Sequence, residues 1–188
     1  MGELSSLIKL VDEVSIRLKS IYRTGWRRSG ISISESVAEH VMHAQMFILL
    51  FHRLMGGGFD LGRALSLCLL HDSPEAYLGD VAKPDKDKYF ERIEDRVHGW
   101  IASSLIPGYR GDGAGNGIEE AVVKLSDLIA TASQGIYYLK LGYRSEYLNR
   151  IIINSLDEAS RIASSHGLNL VKQIIDHYID KYNEYSGL

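Results

Sequence analysis

The chain has 188 residues, 45% of them apolar and 24% charged, with a net charge of -3, and this composition predicts one globular domain. The absence of bulk basicity argues against a nucleic acid polymer as partner. The single cysteine, Cys68, excludes a disulfide framework and a cysteine zinc cluster. No apolar run reaches the ~18 residues that span a bilayer, and the first residues lack the pattern of a signal peptide. We therefore expect a cytoplasmic protein without membrane contact.

The first segment carries apolar residues at helical spacing with charged residues between them, which predicts an amphipathic helix over residues 4–21. Glycines then interrupt the pattern, so residues 22–30 are predicted to form a loop. This loop places Trp26 among three arginines, and a flat ring with guanidinium groups suits the base and phosphate of a nucleotide. The alternative is a tryptophan that plugs the edge of the core beside solvated arginines.

A capping box, Ser36 followed three residues later by Glu39, predicts that the next helix begins near Ser36 and ends before Gly56. His40 lies in the first turn of this helix. A histidine near a helix N-terminus is favoured as the neutral imidazole, which is the form that binds metal ions. His40 is therefore a candidate ligand.

Residues 67–80 are the most informative stretch, because an apolar helix there ends in His71 and Asp72 and is followed by Glu75 and Asp80. An adjacent imidazole and carboxylate at the rim of the core are good metal ligands. The alternative is a helix C-terminus followed by a polar turn. Because this helix is apolar almost all round, we expect it at the centre of the domain.

The remaining chain also predicts helices: an amphipathic one over residues 85–105, another over 118–141 after a surface loop, and two more within 145–185. Asp127 lies among apolar positions, where a carboxylate is costly unless it is paired or bound to a metal ion. It is a ligand candidate, with a salt bridge as the alternative. No strand pattern occurs, so the predicted fold class is all-α.

His40, the His71-Asp72 pair and Asp127 follow one another in an order that resembles one family. A histidine, a His-Asp pair and a distant aspartate on helices around one divalent cation are the pattern of the HD-domain superfamily of metal-dependent phosphohydrolases. The flanking residues are similar to its 5'-deoxynucleotidase branch. The motifs are Arg23-Thr24-Gly25-Trp26, Glu35-Ser36-Val37-Ala38-Glu39-His40, His71-Asp72-Ser73-Pro74-Glu75, Gly79-Asp80 and the later Asp127.

The resemblance implies a single HD domain over residues 1–188, with a core at about 36–130 on which the helices of residues 145–185 pack. It also implies a homodimer, for which the tyrosine-rich C-terminal helices could supply the interface. The implied reaction is hydrolysis of deoxyribonucleoside 5'-monophosphates to deoxynucleoside and phosphate. The implied cofactor is one divalent metal ion: Mn, Co, Ni, Zn, Fe or Mg.

The resemblance further implies roles for individual residues. Bacterial members place an arginine immediately before the tryptophan, and this position is Gly25 here, so phosphate binding passes to neighbouring arginines. The implied metal ligands are His40, His71, Asp72 and Asp127; the carboxylates that act around the attacking water are Glu75 and Asp80. The implied substrate contacts are Trp26 at the sugar or base, and Arg23, Arg27, Arg28 and Lys83 at the phosphate.

Three alternatives stay open. Another HD phosphohydrolase, acting on nucleoside triphosphates, cyclic nucleotides or alarmones, would share the ligands and differ in its pocket. A di-iron oxygenase or two-metal phosphodiesterase would need further histidines between Asp72 and Asp127, where His98 is the only one. A nucleotide-sensing module would bind nucleotides tightly without releasing phosphate.

Overall fold

The computed structural model describes residues 2–82, 85–109 and 117–187. Within these ranges the chain forms helices and no strand, apart from one isolated antiparallel bridge between Tyr22 and Ser36. The predicted all-α fold is therefore confirmed. The helices are α1 (Gly2–Ser20), α2 (Thr24–Arg28), α3 (Val37–Leu54), α4 (Leu61–His71), α5 (Glu75–Leu78), α6 (Lys88–Leu105), α7 (Ile118–Lys140), α8 (Glu146–Ser165) and α9 (Asn169–Ser186).

The centre of the fold is α7, which packs against α3, α4, α8 and α9. Gly135 allows α8 to approach closely, because a Cβ atom at this position would lie 2.5 Å from Ile152 Cγ1. The expectation that α4 is central is wrong. Leu69 of α4 is 55% exposed, whereas α7 packs against four other helices.

The segment predicted as a loop contains the short helix α2, which corrects the prediction for residues 22–30. Long-range contacts fix this turn. The Val37 amide donates to the Ile21 carbonyl at 2.9 Å, beside the bridge. The Trp26 ring, only 1% exposed, packs edge-on against Tyr138 with centroids 5.4 Å apart. Burial of this ring outweighs the tendency of the flanking glycines to interrupt regular structure.

Side-chain caps fix the beginning of α3, as predicted, and that of α4. Ser36 Oγ accepts from the Glu39 amide at 3.2 Å, and Glu39 Oε2 accepts from the Ser36 amide at 2.6 Å. Asp60 Oδ1 accepts from the Arg63 amide at 2.9 Å. The capping box thus determines that His40 lies in the first turn of α3.

The later helices also follow the sequence pattern. α6 begins at Lys88 rather than at residue 85, because the Asp87 side chain caps its first turn. Of the loop predicted at 106–117, residues 110–116 lie outside the described ranges.

The tyrosines of α9 pack on the larger hydrophobic core, which α7 and α8 share. They are Tyr178, Tyr182 and Tyr185, and Tyr182 is buried. No helix among the described residues is both long and apolar enough to cross a membrane.

Candidate metal centre

Three helices bring the candidate ligands to one place. His40 belongs to the first turn of α3, His71 ends α4 and is followed by Asp72, and Asp127 lies within α7. The last three residues line a cavity of about 770 Å³. His40 Nε2 lies 3.0 Å from Asp127 Oδ1, although 87 positions separate the two residues. The fold thus assembles side chains that are far apart in the sequence.

These side chains pair with one another and with two cations. His71 Nδ1 lies 2.8 Å from Asp72 Oδ1, and Arg23 Nη1 lies 3.5 Å from Asp72 Oδ2. Lys124 Nζ donates to Asp127 Oδ2 at 2.9 Å. With the side chains in these positions, no three His, Cys, Asp or Glu residues of the described ranges converge as metal ligands. A metal ion would therefore displace part of this internal pairing.

The chemistry of the donor set fits a divalent cation. Two imidazoles and two carboxylates form a mixed nitrogen and oxygen set of the kind that such ions accept. Among the buried polar atoms that lack a hydrogen bond in the described residues, Asp72 Oδ2 and Glu75 Oε2 belong to this site. Because buried polar atoms are rarely left without a partner, an ion is one physical reason for their presence.

The electrostatics keep the two aspartates ionised. Burial alone would raise the pKa of Asp72 and of Asp127, but nearby positive charges outweigh it, led by His71 for the first and Lys124 for the second. Both pKa values lie below the ordinary range. The Asp72 charge in turn raises the pKa of His71 to about 9. Since metal ligands must be deprotonated, the aspartates are ready to bind an ion and His71 must first lose a proton.

Glu75 and Asp80 also line the cavity, in different environments. Glu75 is 5% exposed, and burial, followed by the charges of Asp72 and Asp80, raises its pKa to about 10. It therefore carries a proton at neutral pH. The Asp80 carboxylate accepts from the Thr24 amide, and its carbonyl accepts from Thr24 Oγ1 at 2.6 Å. The cavity thus holds one carboxyl group whose surroundings favour protonation and a second one fixed by α2.

Of the predicted phosphate-binding residues that the structure describes, Arg23 lines the cavity and the other two do not. Arg27 and Arg28 are exposed, and Arg28 pairs with Asp85. Successive residues of a helix point in directions about 100° apart, so burial of Trp26 turns the next two side chains towards solvent. The fourth residue, Lys83, lies outside the described residues.

Trp26 borders the cavity and is nevertheless buried, with its Nε1 donating to Glu35 Oε1 at 2.8 Å. This position agrees with the alternative in which the ring plugs the edge of the core. Its role at a sugar or base stays a prediction.

Several polar residues that line the cavity were not predicted from the sequence. Lys124 stands three positions before Asp127 on the same helix, a spacing at which side chains meet, so the pair was visible in the sequence. Arg150 and Asn154 lie one turn apart on α8, and nothing local to them indicates which side of that helix faces the cavity. These missed residues are Lys86, Glu91, Glu94, Lys124, Thr131, Tyr147, Arg150, Asn154, Ser155 and Glu158.

The chain is similar to curated proteins over part of its length. It is 30% identical over 104 residues to the 5'-deoxynucleotidase hdd1 of Schizosaccharomyces pombe, which is 54% of this chain and 50% of that protein. It is 32% identical over 114 residues to the 5'-deoxynucleotidase HDDC2 of Danio rerio, which is 58% of this chain and 52% of that protein. The chain thus spans about half the length of these relatives.

Solved structures share the fold at low sequence identity. A conserved hypothetical protein from Pyrococcus furiosus superposes with a TM-score of 0.68 at 22% identity, covering 89% of this chain and 98% of its own. A protein from Pyrococcus horikoshii OT3 gives a TM-score of 0.66 at 20% identity, covering 90% and 98%.

The family match spans His40 and the His71-Asp72 pair. The sequence profile of the HD domain matches residues 16–110, just over half of the chain, and includes His40, His71 and Asp72. Asp127 lies beyond the matched range, and the fold brings it to within 3.0 Å of His40. The chain belongs to the HD domain family.

Proposed function

We propose that the chain is a metal-dependent phosphohydrolase that acts on deoxyribonucleoside 5'-monophosphates. The observation that carries this proposal is the cavity lined by His71, Asp72 and Asp127, with His40 in contact with Asp127 behind it. HD domains generally depend on a divalent metal ion. The names of three curated relatives, each a 5'-deoxynucleotidase, support the substrate class.

In this proposal, His40, His71, Asp72 and Asp127 hold one divalent ion: Mn, Co, Ni, Zn, Fe or Mg. Such an ion, when bound, lowers the pKa of a coordinated water and polarises the phosphoryl group. The ionised state of the two aspartates supports their assignment as ligands.

The chain's own cations would bind the phosphate. Arg23 borders the cavity with its guanidinium beside Asp72, and Lys124 borders it beside Asp127. A guanidinium pairs with two phosphate oxygens at once, whereas an ammonium acts as a point charge. Arg23 would therefore orient the phosphate, and Lys124 would neutralise part of its charge.

Two carboxyl groups would handle protons. Glu75 carries a proton at neutral pH and is buried against the cavity, so it can donate that proton to the leaving 5'-oxygen. Asp80 is held by hydrogen bonds from Thr24 and can orient the attacking water. The products are a deoxynucleoside and inorganic phosphate. The homodimer and the cytoplasmic location stay predictions.

The experiment is a phosphate-release assay on deoxyribo- and ribonucleoside 5'-monophosphates, with nucleoside triphosphates and cyclic nucleotides in the same panel. Protein stripped with EDTA is resupplied with one metal ion at a time, and the variant Asp127→Asn serves as the negative control. We expect metal-dependent release that is fastest for the deoxyribonucleoside monophosphates. Stoichiometric metal binding without release from any of these monophosphates would contradict the proposal.

A further inference from the structure

We infer that Glu35 positions His40 as a metal ligand, and that Trp26 contributes by holding Glu35 through its indole N–H. The inference rests on the proposed function in one respect, since it takes His40 as a ligand. It assigns positioning roles to two residues that lie outside the ligand set.

The backbone around Glu35 is fixed from two sides. The Arg23 amide donates to the Glu35 carbonyl at 3.1 Å, next to the bridge between Tyr22 and Ser36. The Glu35 amide donates to the hydroxyl oxygen of Tyr138 at 2.8 Å. Glu35 therefore has little freedom to move relative to α2 and α7.

The side chain of Glu35 is equally constrained. Its Oε1 accepts from Trp26 Nε1 at 2.8 Å and lies 3.5 Å from His40 Nδ1. Glu35 is 9% exposed, and Trp26 and His40 are each 1% exposed. A buried carboxylate thus contacts an indole N–H and one edge of a buried imidazole.

The other edge of His40 faces the candidate ion site, with Nε2 lying 3.0 Å from Asp127 Oδ1. A histidine binds a metal ion through one nitrogen, and a hydrogen bond from the other nitrogen fixes the tautomer and the orientation of the ring. A proton on Nδ1 directed at Glu35 would leave Nε2 for the ion. The negative charge of Glu35 would also make Nε2 a stronger electron-pair donor to the ion.

Trp26 matters because the distance of 3.5 Å from His40 to Glu35 is long for a hydrogen bond. His40 Nδ1 has no hydrogen bond within the described residues, so the approach of the ring to Glu35 depends on where this carboxylate is held. The indole N–H holds the same oxygen that faces His40. Glu39 provides a matched comparison. It is the neighbour of His40 in sequence, yet its carboxylate is used by the capping box.

The test compares three variants with one control. Glu35→Met removes the hydrogen-bond acceptor, Glu35→Gln keeps one, and Trp26→Phe removes the indole N–H but keeps an aromatic ring. The control is Glu39→Gln, which keeps the capping box. The measurement is Mn²⁺ affinity by isothermal titration calorimetry on protein whose fold is verified by circular dichroism. We expect Glu35→Met and Trp26→Phe to weaken binding by about 10- to 100-fold. Glu35→Gln should recover part of that loss, and the control should bind as the wild type does.

A second readout needs no substitution. In wild-type protein loaded with Zn²⁺, the nitrogen-15 shifts of His40 should show a protonated Nδ1 and a metal-bound Nε2. A proton on Nε2, or unchanged Mn²⁺ affinity in both Glu35→Met and Trp26→Phe, would overturn the inference and leave the proposed function standing. If His40→Ala binds Mn²⁺ as tightly as the wild type, the proposed metal site itself is wrong.

Discussion

Lys124 Nζ lies 2.9 Å from Asp127 Oδ2, while the other oxygen of the same carboxylate lies 3.0 Å from His40 Nε2. One carboxylate is thus shared between a lysine of its own helix and a histidine of α3. A divalent ion held by His40 and Asp127 would compete with the ammonium group for the Asp127 charge. We therefore expect Lys124 to limit how tightly this end of the candidate site binds a cation.

Substitution of Lys124 tests this competition. We expect Lys124→Met to strengthen Mn²⁺ binding by about 1.4- to fivefold, since a partly exposed ion pair contributes about 0.2–1 kcal/mol. Calorimetric titration measures the affinity, with Lys172→Met on the exposed face of α9 as the control. Weaker Mn²⁺ binding in Lys124→Met than in the control would show that the ammonium group assists the ion.

Removal of the Asp72 charge tests the centre of the site. We expect Asp72→Asn to remain folded, to bind Mn²⁺ at least about 100-fold more weakly and to lose phosphate release. The pKa of His71 should also fall from about 9 towards the ordinary value of ~6.5, because the Asp72 charge is the main reason for its increase.

Proton NMR titration of the His71 ring and a phosphate-release assay measure these two effects in Asp72→Asn. The exposed Asp12→Asn on α1 is the control for a general change in charge. A folded Asp72→Asn protein with wild-type activity would exclude Asp72 as a ligand.

Local sequence signals predicted a good part of this arrangement. The capping box at Ser36 fixed the turn that carries His40, and the apolar run before His71 fixed the end of α4. Both depend on residues only a few positions apart. The cost of burying a carboxylate also singled out Asp127, without reference to any partner.

Features that depend on distant residues were not predictable in the same way. Burial of Trp26 and formation of α2 depend on Tyr138, whose hydroxyl accepts from an amide 103 positions earlier. The cavity-lining side of α8 depends on how that helix packs on α7 at Gly135. Such contacts follow from tertiary packing, which overrides local propensity.

The packing of α7 on α8 gives a prediction about stability. Gly135→Ala would place a Cβ atom 2.5 Å from Ile152 Cγ1, so we expect the free energy of unfolding to fall by about 1–3 kcal/mol. Gly99→Ala in α6 is the matched control, because no atom lies within 4 Å of its added Cβ. This control should gain about 0.5–1 kcal/mol, since alanine suits a helix better than glycine.

Urea unfolding measures the free energies of both glycine variants. Equal stability of Gly135→Ala and the wild type would mean that α8 can move away from α7 without loss.

Cys68 gives a prediction about pH. Burial, with smaller contributions from the Asp72 and Asp127 charges, raises the pKa of this thiol to about 12. The folded protein therefore keeps the thiol proton at pH values where the unfolded chain, with a thiol pKa of ~8.5, releases it. The contribution of this group to stability falls as the pH rises from ~8.5 towards about 12.

The reactivity of Cys68 with a disulfide reagent such as DTNB at pH 8 provides the measurement. We expect native protein to react at least ~100-fold more slowly than protein unfolded in urea, because the thiolate is the reactive form. Similar rates in the two states would show that the thiol is accessible and ionised in the fold.

The proposed function depends on one divalent ion held by His40, His71, Asp72 and Asp127. Anomalous X-ray scattering from crystals grown with Mn²⁺ would locate this ion. We predict a single strong peak per chain, within about 2.0–2.4 Å of ligand atoms from all four residues. A Mn²⁺ peak bound elsewhere, or no peak at a Mn²⁺ concentration that saturates binding in solution, would contradict this assignment of ligands.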